Sequence, residues 1–252
     1  MAQKFYYDSV DILGSTLNDG TVTLSGTEIF ADAASLTNEE RAVDQSITTA
    51  ITDWAENDAL QFDLGSAKTV SFVAVYFNAA EADTLVLSYD DAATGNSQAD
   101  NAITADFSVG WNVTEFSPAS KRYWFISAKT AGGLVGITEV ILGAYLEFSI
   151  NPDIGISEQE IFGTAVNRSA GGVEYAVKKH NPISTWTLNF ANISSTFKAS
   201  LQSMEAEVQD YKKFLWYDET NYHYVRLESP IKYTEVAYQR YSASISLREQ
   251  LS

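Results

Sequence analysis

The sequence predicts a mostly β protein in two parts: a β-sandwich, then a smaller β-barrel or sheet domain carrying one α-helix. Three observations point there. Short alternating apolar segments separated by polar turns fill the first part. One stretch of helical period stands in the last part. The charge also changes abruptly. Residues 1–148 hold 6 Lys+Arg against 21 Asp+Glu, whereas residues 149–252 hold 10 against 12. Such a shift marks regions with different surroundings. We place domains at 1–148 and 173–252, joined by a connecting segment at 149–172.

In the first part, Val22 and Leu24 alternate with Thr21, Thr23 and Ser25. Leu60, Phe62 and Leu64 alternate with Gln61 and Asp63, the pattern of a half-buried strand. The run Val70 to Phe77 is apolar at nearly every position, as a central strand covered on both faces requires. Leu85 to Tyr89 follows, then a polar loop over 90–105. Arg122 to Ser127 and Ile137 to Phe148 read as the last strands, with a turn at Gly132-Gly133. Pro152, Gly155, Gly163 and the pair Gly171-Gly172 punctuate Asn151 to Gly172, which reads as a connection.

In the last part, Phe197, Leu201, Met204, Val208 and Tyr211 recur at steps of three and four residues. That spacing predicts an amphipathic helix over 194–211, capped by Ser194 or Ser195. Trp186 to Phe190 and Lys213 to Tyr217 read as flanking strands. A hairpin at Asp218 to Asn221 returns through Tyr222 to Leu227. Lys232 to Leu247 reads as one final strand, whose apolar phase reverses near Tyr238 to Tyr241 as a β-bulge would reverse it.

Composition excludes several functions. With 45% hydrophobic residues, the 252-residue chain can bury a core. It has no cysteine, hence no disulfide or zinc–thiolate site. A net charge of −17 opposes direct nucleic-acid binding. The N-terminal residues lack a signal-peptide pattern, and no apolar run approaches the ~20 residues of a membrane span. Assembly in the cytoplasm is expected.

Chemistry-bearing constellations are sparse. Trp54, with Asp53, Glu56 and Asp58, has the composition of a carbohydrate site, a ring to stack a sugar and acids to bind its hydroxyls. The preferred alternative has Trp54 plugging the sandwich while the acids face water. Asp63 supports the turn at Gly65. Asp90, Asp91, Asp100 and Asp106 flank a loop holding Asn96 and Asn101, but without calcium-loop spacing. No metal ligand is therefore assigned. Neither of the two histidines, His180 and His223, has a metal-binding neighbour in sequence, and His223 reads as an exposed or interface strand residue. No G-x-S-x-G elbow occurs. Glu205 and Glu207 lie two apart on the helix and do not face each other. The chain is expected to be non-enzymatic and without a cofactor. Crowded C-terminal aromatics suit protein contact, and Trp216, Tyr217, Tyr222, Tyr224, Tyr238 and Tyr241 are the candidate subunit-interface residues.

Thr52-Asp53-Trp54, then LQFDLGSAKTVSFVAVY and KRYWFIS, resemble discoidin-type, or galactose-binding-like, jelly-roll domains over roughly residues 5–148. Phe125 departs from the pattern by replacing a second arginine. The resemblance implies a jelly-roll sandwich in which the tryptophan usually packs, and it allows a structural calcium, assigned to no residues. Such a module followed by a β-α-β part is similar to structural proteins of tailed-bacteriophage virions, at the tail tip or in rings. That implies a virion tail protein that is a homo-oligomer (a ring or trimer), with other phage tail proteins as partners. Its C-terminal domain would assemble and its N-terminal module project outward. The alternative expectation is an adhesion module recognising a host surface glycan.

Overall fold

The structure is a computed structural model and describes residues 2–10, 12, 24–26, 45–50, 59–78, 84–91, 103–106, 108–128, 136–153 and 155–250. The chain is mostly β, as the alternating segments predict. It divides into two compact units, residues 6–145 and residues 1–5 with 146–251.

In the unit of residues 6–145, the long strand β3 (Ala59–Phe77) is the axis. It pairs antiparallel with β6 (Gly110–Ala128) along one edge and with β7 (Ile137–Glu147) along the other. Beyond β6 lie β4 (Thr84–Asp90) and β5 (Ile103–Asp106). A short β2 (Leu24–Gly26) also pairs with β3. The apolar run of β3 is covered on both faces: Phe72, Val73, Ala74 and Val75 are all buried. One cluster joins Phe62, Val70, Val73, Val75 and Phe77 to Trp124, Ile126 and Leu142. Each such side chain contributes about 1.5–3 kcal/mol on burial. The N-terminal strand β1 (Lys4–Tyr7) leads into a segment that runs against Gly143, whose missing Cβ leaves room for the backbone at Tyr7 and Ser9.

In the unit of residues 1–5 and 146–251, the strand order is β10 (Phe214–Tyr217), β11 (Tyr222–Leu227), β13 (Arg240–Glu249), β9 (Glu174–Ser194), β8 (Ser157–Arg168). A further strand, β12 (Lys232–Ala237), pairs with β13. Helix α1 (Ser195–Val208) begins where β9 ends. The Ser194 side chain caps it by accepting from the Phe197 amide at 3.1 Å. Phe197, Leu201, Met204 and Val208 are buried as their spacing predicts. Tyr211 is not: α1 stops at Val208, Gln209 turns the chain at φ 47°, and Tyr211 stands exposed. Phe148 anchors the aromatic core, edge-on to Phe5, Phe190 and Phe197.

The β10–β11 hairpin forms around 218–221, with Tyr217 opposite Tyr222. Two readings change. The expected single strand over 232–247 is a hairpin, β12 and β13, with Tyr238 and Gln239 at the turn and Ala237 opposite Arg240. A chain reversal, with Gln239 at φ 56°, causes much of the change of apolar phase. Register shifts do occur beside it, at Glu235/Ala237 and Tyr241/Ala243. The stretch read as connecting also contains β8, which pairs with β9 along its length. Gly171-Gly172 is its hairpin turn, with the Gly172 amide donating to the Ser169 carbonyl at 2.9 Å.

Candidate functional site

The sequence-derived sugar candidates Trp54 and Asp53 lie outside the described residues, as do Glu56, Asp58, Asp100, Asn96 and Asn101. What the structure describes is the frame of the motif segments that accompany them. Asp63 of β3 sits opposite Tyr123 of β6, so the neighbouring Arg122 reaches it. The guanidinium donates to both carboxylate oxygens, Nε to Oδ1 at 2.7 Å and an Nη to Oδ2 at 2.8 Å. Asp63 Oδ1 also accepts from the Gly65 amide at 2.8 Å, and Gly65 takes φ 71°, the turn its Asp-Leu-Gly setting predicts. The Arg122 hydrogen bonds outweigh burial and hold the Asp63 carboxyl below its ordinary range. Trp124 is fully buried; its Nε1 donates to the Lys121 carbonyl at 3.1 Å and its ring packs against Tyr89 and Phe116. The D-L-G and R-Y-W stretches thus form one locked structural element.

At the polar loop, Asp91 binds Lys121 at 2.6 Å and Asp90 accepts from the Asp91 amide. Among the described residues, no group of three or more acids or histidines is arranged to hold a metal ion.

His223 stands elsewhere than its sequence setting implied. It is half-buried, with its ring 4.8 Å from Trp186 and 4.9 Å from Trp216. Its Nε2 lies 2.8 Å from Asp218 Oδ2. Burial works to raise the Asp218 carboxyl, but the bonds from His223 and from the amides of Asn221 and Thr220 bring it below its ordinary value. The pair resembles a base with its orienting acid, yet among the described residues no serine or threonine hydroxyl hydrogen-bonds His223. Geometrically it is a packing nest: Trp216 also donates from Nε1 to the Gln3 side chain at 3.2 Å.

The proposed interface aromatics separate by environment. Trp216 and Tyr224 are buried within their unit, so their rings are occupied by its core. Tyr217 and Tyr222 are half-buried and face each other at 4.8 Å. Tyr241 is half-buried under Lys198, 3.9 Å from its ring centroid. Tyr238, at the hairpin tip, is 86% exposed.

The end of α1 and the β11–β12 loop enclose a cleft of about 340 Å³. Its lining combines the acids Glu205, Asp210 and Glu228 with Leu227 and Pro230. Glu205 also accepts from the Ile231 amide at 2.7 Å, which ties the loop to the helix. Sequence reasoning missed this cleft, because its acids come from separate elements. It also missed the β8–β9 ribbon, although Gly171-Gly172 between two β-rich runs is a hairpin signal.

No family model matches the chain, and no curated protein matches it. Solved structures do show likeness. A Streptococcus pneumoniae fucose binding module is 20% identical, with a TM-score of 0.34 over 41% of this chain and 79% of that one. CBM32-1 from a Clostridium perfringens family 31 glycoside hydrolase is also 20% identical, with a TM-score of 0.34 over 42% and 83%. The CBM32 of AlyQ, in complex with 4,5-unsaturated mannuronic acid, is 18% identical, with a TM-score of 0.37 over 55% and 96%. At these identities and TM-scores, nothing about ligands carries over. The class rests on the chain's own strands: a mostly β protein of antiparallel strands, with one helix among the described residues.

Proposed function

We propose that the chain is a non-enzymatic binding protein whose N-terminal sandwich recognises a carbohydrate. The supporting observation is the Asp63–Arg122 lock, which joins the two segments that carry the galactose-binding-like resemblance. Trp54 and Asp53 remain the residues for ring stacking and hydroxyl binding. With 21 acids against 6 cations in residues 1–148, the expected ligands are neutral sugars, since uronates and sialylated chains would be repelled. A glycan array probed with the full chain, with and without calcium, tests this. Binding to neutral glycans that Trp54→Ala abolishes is the expected result. Signal at background on every glycan would refute the reading.

A second reading is a structural subunit of a phage tail, working by assembly with its own copies and other tail proteins. The observation that favours it is the exposed β8–β9 ribbon. Size-exclusion chromatography with light scattering tests it. A strictly monomeric protein, alone and beside candidate tail partners, would count decisively against it.

A further inference from the structure

From 161 to 182 the chain is a two-stranded ribbon, the outer halves of β8 and β9, and nearly every residue on it is exposed. Such a ribbon is marginal in water without a third layer. This one nevertheless presents large apolar side chains: Phe162 is 70% exposed and Tyr175 59%, with Val166, Val173 and Val177 also exposed. Among the described residues β8 is the last strand of its sheet, so its outer edge offers unpaired backbone groups. Tyr175 and Val177 share one face and Val166 lies on the other, so both faces of the ribbon expose apolar side chains, and such exposure marks a contact surface.

Charge identifies the partner. The ribbon carries three cations, Arg168, Lys178 and Lys179, against the single acid Glu174, on a chain of net −17. Arg168 and Glu174 pair across the strands at 2.6 Å, whereas among the described residues neither lysine has an ion-pair partner. Strand alternation sets Tyr175 and Val177 on one face, and the cations Lys178 and Lys179 follow at the bulge opposite Gly163 and Thr164. The cleft at the end of α1 has the complementary chemistry, with the exposed Pro230 among Glu205, Asp210 and Glu228.

We propose that the β8–β9 ribbon of one copy docks in the acid-lined cleft at the end of α1 in a second copy. Tyr175 and Val177 lie against Pro230, and Lys179 meets Asp210 and Glu228. The two surfaces differ, so the contact is head-to-tail and repeats from copy to copy. The inference rests on the assembly reading, and its test separates the two.

Sedimentation velocity of the full chain should show mass rising with concentration above the 27.7 kDa of one copy. Lys179→Glu, and separately Asp210→Lys with Glu228→Lys, should each weaken association at least about tenfold, as for a lost charge pair. Combining the reversals should restore it. These side chains lie on the surface, and circular dichroism checks that each variant is folded. A wild-type chain that stays at one copy's mass overturns both the docking and the assembly reading. Association that ignores the reversals, or that the combined variant fails to restore, overturns the docking alone.

Discussion

Arg122 grips Asp63 with two hydrogen bonds, 2.7 and 2.8 Å long, across the β3–β6 ladder. The bond lowers the Asp63 carboxyl, so the stability it contributes is complete above the ordinary carboxylate value near 4. It is lost as pH falls through the lowered folded value. Arg122 is 41% exposed, so solvent screening keeps the contribution of the pair small. Arg122→Ala should therefore melt below wild type at pH 7, and the gap should narrow towards pH 2. An equal gap at both pH values would mean that the arginine acts by packing, through its place over the Tyr123 ring.

Gly143 admits the backbone of Tyr7 and Ser9 where a methyl group would stand. Main-chain atoms cannot swing aside as a flexible side chain can. Gly143→Ala should cost about 1–3 kcal/mol, as overpacking does, read as a lower thermal midpoint. A midpoint unchanged from wild type would show that the N-terminal segment yields freely.

Helix α1 offers a paired test of where its apolar face ends. Leu201 is fully buried and Tyr211 exposed. Leu201→Ala should cost about 2–5 kcal/mol, whereas Tyr211→Ala should stay within about 0.5 kcal/mol. Similar losses for both in urea melts would put Tyr211 back on the buried face that its spacing implied.

Gln209 ends α1 at φ 47° and ψ −137°, a backbone region costly for any residue with a Cβ. Gln209→Gly should relieve that strain, offset in part by the larger unfolded-state entropy of glycine. The expected net gain is up to about 1 kcal/mol, seen as a raised thermal midpoint. A lowered midpoint would show that the glutamine's own contacts outweigh the strain.

Period and local chemistry decided much of this protein without its structure. Two-sided apolarity from Val70 to Phe77 marked a covered strand, and that strand is the axis of its unit. Steps of three and four marked α1, whose cap is Ser194, and DETN marked the β10–β11 turn. These features are legible because each depends on residues within one turn or one alternation. Tertiary structure alone decided the rest. Val166 and Tyr175 show no local sign that their ribbon would lack a covering layer. Trp216 and Tyr238 are both aromatic, yet one is core and the other 86% exposed, because a two-residue turn separates β12 from β13. The acids of the cleft, Glu205, Asp210 and Glu228, converge only when a helix end meets a loop. Burial and convergence depend on which distant segments pair, and the chemistry of neighbouring residues does not specify that pairing.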